Sequence, residues 1–182
     1  MRARINFFSG WERLLGRMRR DARRGSAAIE FAFIAPVFVL FMMGTIEVGA
    51  MYMANSVLQK ATDDGARLVR TGQAQSATMT QAQFRDYICG RIAAIIPCDS
   101  NLQIDMRTYS GFGSAAYTSP VSNGALNASL NSYQTGSAGD VVLVRVFYQW
   151  KLITPLIGTL LGNLSNGRHL ISATAAFQNE PF

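Results

Sequence analysis

The stretch FAFIAPVFVLFMMGTI, residues 31–46, holds sixteen residues without a charge. As a helix it would span about 24 Å at ~1.5 Å per residue, short of the ~30 Å hydrocarbon core of a bilayer. Past Glu47 the run VGAMYMANSVL stays uncharged until Lys60. One acid near the far interface, with Tyr52 at headgroup depth, lets the span reach full thickness. Pro36 would kink a soluble helix and is tolerated in a membrane one. The flanks set the direction. Arg17, Arg19, Arg20, Arg23 and Arg24 stand directly before the run, and the next basic residue after it is Lys60. That asymmetry predicts a cytoplasmic N-terminus and an exported C-terminal portion, and argues against a buried soluble helix.

The 182-residue chain carries a net charge of +6, but residues 1–25 alone hold eight Arg against Glu12 and Asp21, and the remainder balances to zero. The high pI is therefore no sign of nucleic-acid binding, because nothing beyond the leader could neutralise phosphates. At 49% apolar, with 16 Gly in no fixed period, the chain is neither a disordered tail nor a collagen-like fibre. Basic residues before an apolar run also describe a secretory signal peptide, with Val48-Gly49-Ala50 as its small-residue cleavage site. Against this, the run is longer than a typical signal core and leads into further helix.

The junction reads Arg23-Arg24-Gly25-Ser26-Ala27-Ala28-Ile29-Glu30-Phe31. A basic leader, Gly before the scissile bond and Glu fifth in the mature chain resemble the type IV prepilin processing site. The wider stretch RRGSAAIEFAFIAPVFVLFMMGTIEVGAMYMANSVLQKATDDGAR (23–67) resembles the TadE-like pseudopilins of the tight-adherence (Tad/Flp) pilus system, as does the ending AAFQNEPF. The resemblance implies a pilin-like α+β fold and a minor pseudopilin acting in pilus biogenesis, adherence and biofilm formation. It further implies cleavage after Gly25 by prepilin peptidase, and as partners that peptidase, membrane lipid, the pilin and a second pseudopilin. By the same resemblance, Glu30 pairs with the Ser26 ammonium of an adjacent subunit. A snorkelling Glu30 with no partner is the alternative. Gly25 and Ser26 offer little bulk to a peptidase at the inner-leaflet surface, where the Arg cluster is held at about 1 kcal/mol per basic residue. Phe8, Trp11, Leu15 and Met18 recur at helical spacing, as in a helix lying on that leaflet. Glu47 reads as solvated at the outer interface, with a contact to a partner helix as the alternative.

Beyond the span, Tyr52–Gly72 continues as helix, with Ala54, Leu58, Ala61, Gly65 and Leu68 in a narrow stripe that reads as docking on the protein's own sheet. Asp63 and Asp64 face different ways and read as a solvated face rather than a metal or acid pair. A second helix over 80–96 puts Phe84, Ile88, Ile92 and Ile95 on one face. Cys89 within it and Cys98 after Pro97 lie outside the cytoplasm in this orientation, which favours a disulfide over two free thiols. Alternating patterns at 102–109, 141–152 and 169–177 predict three strands of an antiparallel sheet with one half-buried face, Arg145 falling on the other. The uncharged segment 108–139 reads as a long loop, with a short helix near Leu126 and Leu130. LITPLIGTLLGNL (152–164) reads either as a core cover or as an exposed contact patch.

The domain plan is thus a basic leader (1–25), a transmembrane helix (26–58) and a periplasmic α+β domain (59–182). No catalytic constellation assembles. The single His169 begins a strand with no Cys, Ser or carboxylate motif near it, and no phosphate-cradling Gly motif exists. The expectation is a non-enzyme without cofactor, metal or nucleic-acid partner. Two other readings compete: an uncleaved signal-anchored scaffold of the inner membrane, and an exported enzyme released after Ala50.

Overall fold

The computed structural model describes residues 8–115, 118–154 and 157–182, with side chains of the first helix from Ser26 onward. The elements are α1 (Phe8–Arg70), α2 (Gln73–Ser76), α3 (Gln81–Ile92), β1 (Leu102–Tyr109), β2 (Val121–Ser122), β3 (Ala125–Leu126), β4 (Val141–Lys151), α4 (Ile157–Leu161) and β5 (Arg168–Gln178). A long N-terminal helix followed by a small antiparallel sheet with helices makes this an α+β protein, compatible with a pilin-like plan. Two compact units divide it, one up to Thr45 and the other Ile46–Phe182.

In the first unit α1 runs through Pro36. Ile29, Phe31, Phe33, Ile34, Val37, Phe38, Val39, Phe41, Met42 and Met43 are all exposed. Three consecutive exposed apolar residues, twice over, leave no polar face and no covered face, the pattern of a helix made for lipid. The spacing of Phe8, Trp11, Leu15 and Met18 concerns side chains outside the described residues.

In the second unit the same helix changes character. Ala54, Leu58, Ala61 and Val69 are buried against β1, β4, β5 and α3. The stripe therefore docks on the protein's own sheet. Its last member is Val69 rather than Leu68, which is half-exposed, because a straight helix drifts off a strict heptad. Gly65 lets two helices meet: a Cβ there would stand 2.8 Å from Phe84 Cζ and 2.9 Å from Ile88 Cδ1. Thr80 begins α3 with a reciprocal cap, its hydroxyl accepting from the Gln83 amide while the Gln83 side chain accepts from the Thr80 amide, which satisfies two otherwise orphan donors. Phe84, Ile88 and Ile92 face the core as their spacing predicts. The helix stops at Ile92, earlier than expected, and the turn that follows sends Ile96 inward, leaving Ile95 only partly buried. Cys89 and Cys98 are disulfide-bonded with Cα atoms 5.5 Å apart, tying α3 to the loop after it.

The sheet has the order β1-β4-β5, antiparallel throughout. Leu102, Ile104 and Met106 oppose Tyr148, Val146 and Val144, which in turn oppose Ile171, Ala173 and Ala175. Alternation puts these side chains on the face that the helices cover.

The other face departs from expectation. It is covered too, and Arg145 is buried rather than solvated. Leu130, Phe147, Leu164 and Leu170 form a second apolar cluster there, with Val121 and Leu126 against it. Leu126 lies in the short hairpin of β2 and β3, and no helix forms at Leu126 or Leu130. The uncharged segment acts as a lid made of main chain. Met106 N–H donates to Ser132 O at 2.8 Å and Gln134 N–H to Met106 O at 3.0 Å, so the chain around Tyr133 pairs along the free edge of β1. Burial pushes the Tyr133 phenol above its ordinary pKa.

Beneath this lid Asp105 lies directly opposite Arg145. Its Oδ2 accepts from Arg145 Nη2 at 2.7 Å, and its Oδ1 from Arg107 Nε at 3.0 Å and Ser132 N–H at 3.1 Å. Arg145 Nη1 also reaches Thr118 O at 3.0 Å. Removing one partner strands the other charge without solvent. Asp105→Ala should therefore cost about 3–5 kcal/mol of stability, whereas Asp105→Leu with Arg145→Met should recover most of it. Denaturant unfolding of both variants in detergent checks this, and equal losses would show that the pair is not the source.

Candidate functional site

Two carboxylates on α1 draw attention, one in each unit. In the first unit Ser26 and Glu30 come together. The Ser26 hydroxyl donates to Glu30 Oε1 at 3.2 Å, one helical turn on. Both are exposed. The peptide bond joining Gly25 to Ser26 lies within α1. Chemically this is an accessible carboxylate that accepts from the Ser26 hydroxyl.

Glu47, in the second unit, is not solvated, against what its place at the end of the apolar run suggests. It is only 6% exposed. Its two oxygens accept from the Ile153 and Thr154 main-chain N–H groups, each at 2.6 Å. Two amides aimed at one carboxylate form a charge-assisted clamp. It joins α1 to the chain leaving β4, across a sequence separation that no local pattern could reveal. The only hint was a lone acid closing an apolar run, and that hint has two explanations.

From the clamp a chain of bonds runs into α4. Gly158 N–H donates to Thr154 O at 3.0 Å. At the other end His169 Nδ1 lies 2.6 Å from Leu161 O, and since a carbonyl only accepts, Nδ1 carries the proton. His169 thus fastens α4 to β5. Val48, Met51, Tyr52 and Asn55 of α1 face Leu161 and residues 169–172 across an open cleft of about 410 Å³.

The remaining acids separate as their spacing predicts. Asp63 accepts from Gln59 at 2.9 Å, whereas Asp64 pairs with Lys60 at 2.7 Å and Arg91 at 3.4 Å. Gln59 also caps the free edge of β5, accepting from Thr174 N–H and donating to Thr174 O. Among the described residues no three His, Cys, Asp or Glu side chains gather as a metal site.

One described helix, Ser26–Arg70, is long and apolar enough to cross a membrane, which fits a single-pass membrane protein. Residues 25–67 match the family model of the TadE-like proteins. The TadE-like segment begins at the Gly25 junction, takes in Ser26, Glu30 and Glu47, and ends where α1 lies on the sheet. It covers less than half of the chain, and through it the chain is associated with the Tad pilus system. No curated protein and no solved structure matches the chain.

The clamp can be weighed against a conservative change. Glu47→Gln keeps one accepting oxygen, while Glu47→Ala leaves two buried amides without a partner. The Ala variant should lose about 1–3 kcal/mol more than the Gln variant, read as a lower unfolding midpoint in detergent. Identical midpoints would mean that water replaces the carboxylate.

Proposed function

We propose that this protein is a minor pseudopilin of the Tad/Flp pilus assembly machinery, made as a precursor and cut by prepilin peptidase between Gly25 and Ser26. The observation that carries this reading is the TadE-like match starting at Gly25, on a helix that exposes large apolar side chains from Ile29 to Met43. In this reading the Arg-rich leader stays in the cytoplasm, residues 26–58 span the membrane and residues 59–182 are periplasmic, the side on which a Cys89–Cys98 disulfide would persist. The protein has no catalysis of its own and needs no cofactor. Its partners are the peptidase, lipid, the pilin and a second pseudopilin, and its contribution is to pilus biogenesis, and through it to adherence and biofilm formation.

Cleavage would create an ammonium at Ser26, one turn from Glu30. A neighbouring subunit's ammonium could approach the same exposed carboxylate, neutralising a charge that is costly at the bilayer edge. The pairing of Glu30 with that neighbour is what would join subunits.

The first test is the mature N-terminus. Ser26 supports a pseudopilin, Met1 an uncleaved anchor and Met51 a secreted product. Gly25→Ile adds branched bulk at the scissile bond and should leave the precursor full length in cells carrying the peptidase. Maturation to the wild-type size would rule out prepilin processing.

The second separates a pilus component from an anchor. Glu30→Ala should insert and be cleaved, since losing a charge makes the helix easier to bury, yet should fail to crosslink to other Tad components. Surface pili are counted in the same strains at equal membrane levels. Unchanged crosslinks and pili in a fully cleaved mutant would reduce Glu30 to a snorkelling side chain.

A further inference from the structure

We infer that the segment after β4 is a second membrane contact, laying Ile153 and Leu160 into the headgroup boundary of the leaflet where the apolar run of α1 ends. The inference rests on reading α1 as a membrane span. Glu47 follows that run directly in sequence, and both its oxygens hold the segment, through the Ile153 and Thr154 amides. Ile153 is thereby fixed beside the helix at the level where lipid gives way to water.

The side chains so placed are apolar and uncovered. Ile153 is 76% exposed and Leu160 83%, in a stretch from Leu152 to Asn166 that carries no charge. They are held rather than dangling, since Gly158 bonds to Thr154 and His169 to Leu161 at the two ends of α4. Within the same unit α1 also exposes Ile46, Val48, Tyr52 and Met53. Val48 and Tyr52 share the open cleft with Leu161, the neighbour of Leu160. Lys151, exposed at the end of β4, stands beside this apolar patch with a charge suited to anionic headgroups. An apolar tip flanked by a Tyr and a Lys is the composition of an interfacial anchor. A second membrane contact would restrict the tilt of the unit from Ile46 onward on the surface, which a single helix cannot do.

The test uses the full chain in vesicles of neutral and anionic phospholipid, with an environment-sensitive dye on single introduced cysteines and the native disulfide kept oxidised. Positions are Leu160→Cys in the patch, Ser110→Cys in a polar exposed loop and Val39→Cys in the span. Vesicles nitroxide-labelled near the headgroups should quench the Leu160 dye severalfold, vesicles nitroxide-labelled near the end of the acyl chain should quench the Val39 dye severalfold, and neither should affect the Ser110 dye. Glu47→Ala should abolish quenching at Leu160 and keep it at Val39. Quenching at Val39 without quenching at Leu160 overturns the inference and leaves the span intact. A blue-shifted Leu160 dye that the nitroxide cannot reach also overturns it, assigning the patch to a protein partner. No quenching at Val39 removes the membrane reading itself, and the inference with it.

Discussion

A helix apolar on every side through Ile46, yet buried along only one stripe from Ala54, needs two surroundings, and the rest of the architecture answers that demand. In lipid a main chain must satisfy its own N–H and C=O groups, and an uninterrupted helix does so. In the second unit the helix offers a narrow strip of Ala, Leu and Gly that invites close packing. Gly65 admits the Phe84 ring and the Ile88 side chain, and the sheet closes the core beneath them. Glu47 marks the change of regime. It ends the apolar run and spends its charge on two amides of the chain leaving β4.

Burying Asp105 with Arg145 looks like a poor use of a small core, because ion pairs without solvent seldom add net stability. The arrangement has a different consequence. Asp105 and Arg145 are direct register partners, and a slip of one residue would turn each charge toward the apolar face. The pair thus opposes misregistration of β1 against β4. Arg107, Ser132 and Thr118 take up further bonds of the pair, while Arg145 Nε is buried without a partner. This explains why an uncharged, Ser- and Gly-rich lid suits the site: it supplies main-chain groups without adding competing charge.

The lid is also where pattern reading loses its grip. Strand alternation locates β1, β4 and β5 almost to the residue because a covered sheet face imposes a period of two. The helical faces of α1 and α3 are legible for the same kind of reason, and misplacements arise only where regularity ends, at Val69 and Ile96. A segment without regular structure imposes no period. Its hydrogen bonds run to residues far along the chain, as from Gln103 to the Leu130 carbonyl. Arg145 was assigned to solvent because the cover over it has no periodic signature. Of the candidate site, the Gly25–Ser26–Glu30 junction is a pattern of nearby residues, which sequence can display without a fold. The role of Glu47 is not legible there, because it depends on Ile153 and Thr154.

By itself the sequence determined where the membrane-competent helix lies and that its basic residues cluster on the N-terminal side, since both follow from local composition. It also determined the strands, the helix that carries Phe84, Ile88 and Ile92, and the two cysteines positioned to bond. Only the tertiary structure decided that the second face of the sheet is sealed, that Asp105 and Arg145 meet there, and that Glu47 grips the chain after β4. The physical reason is common to all three. Periodicity reports a side chain's relation to its own element, whereas a buried charge is stable only with partners, and folding draws those partners from elsewhere in the chain.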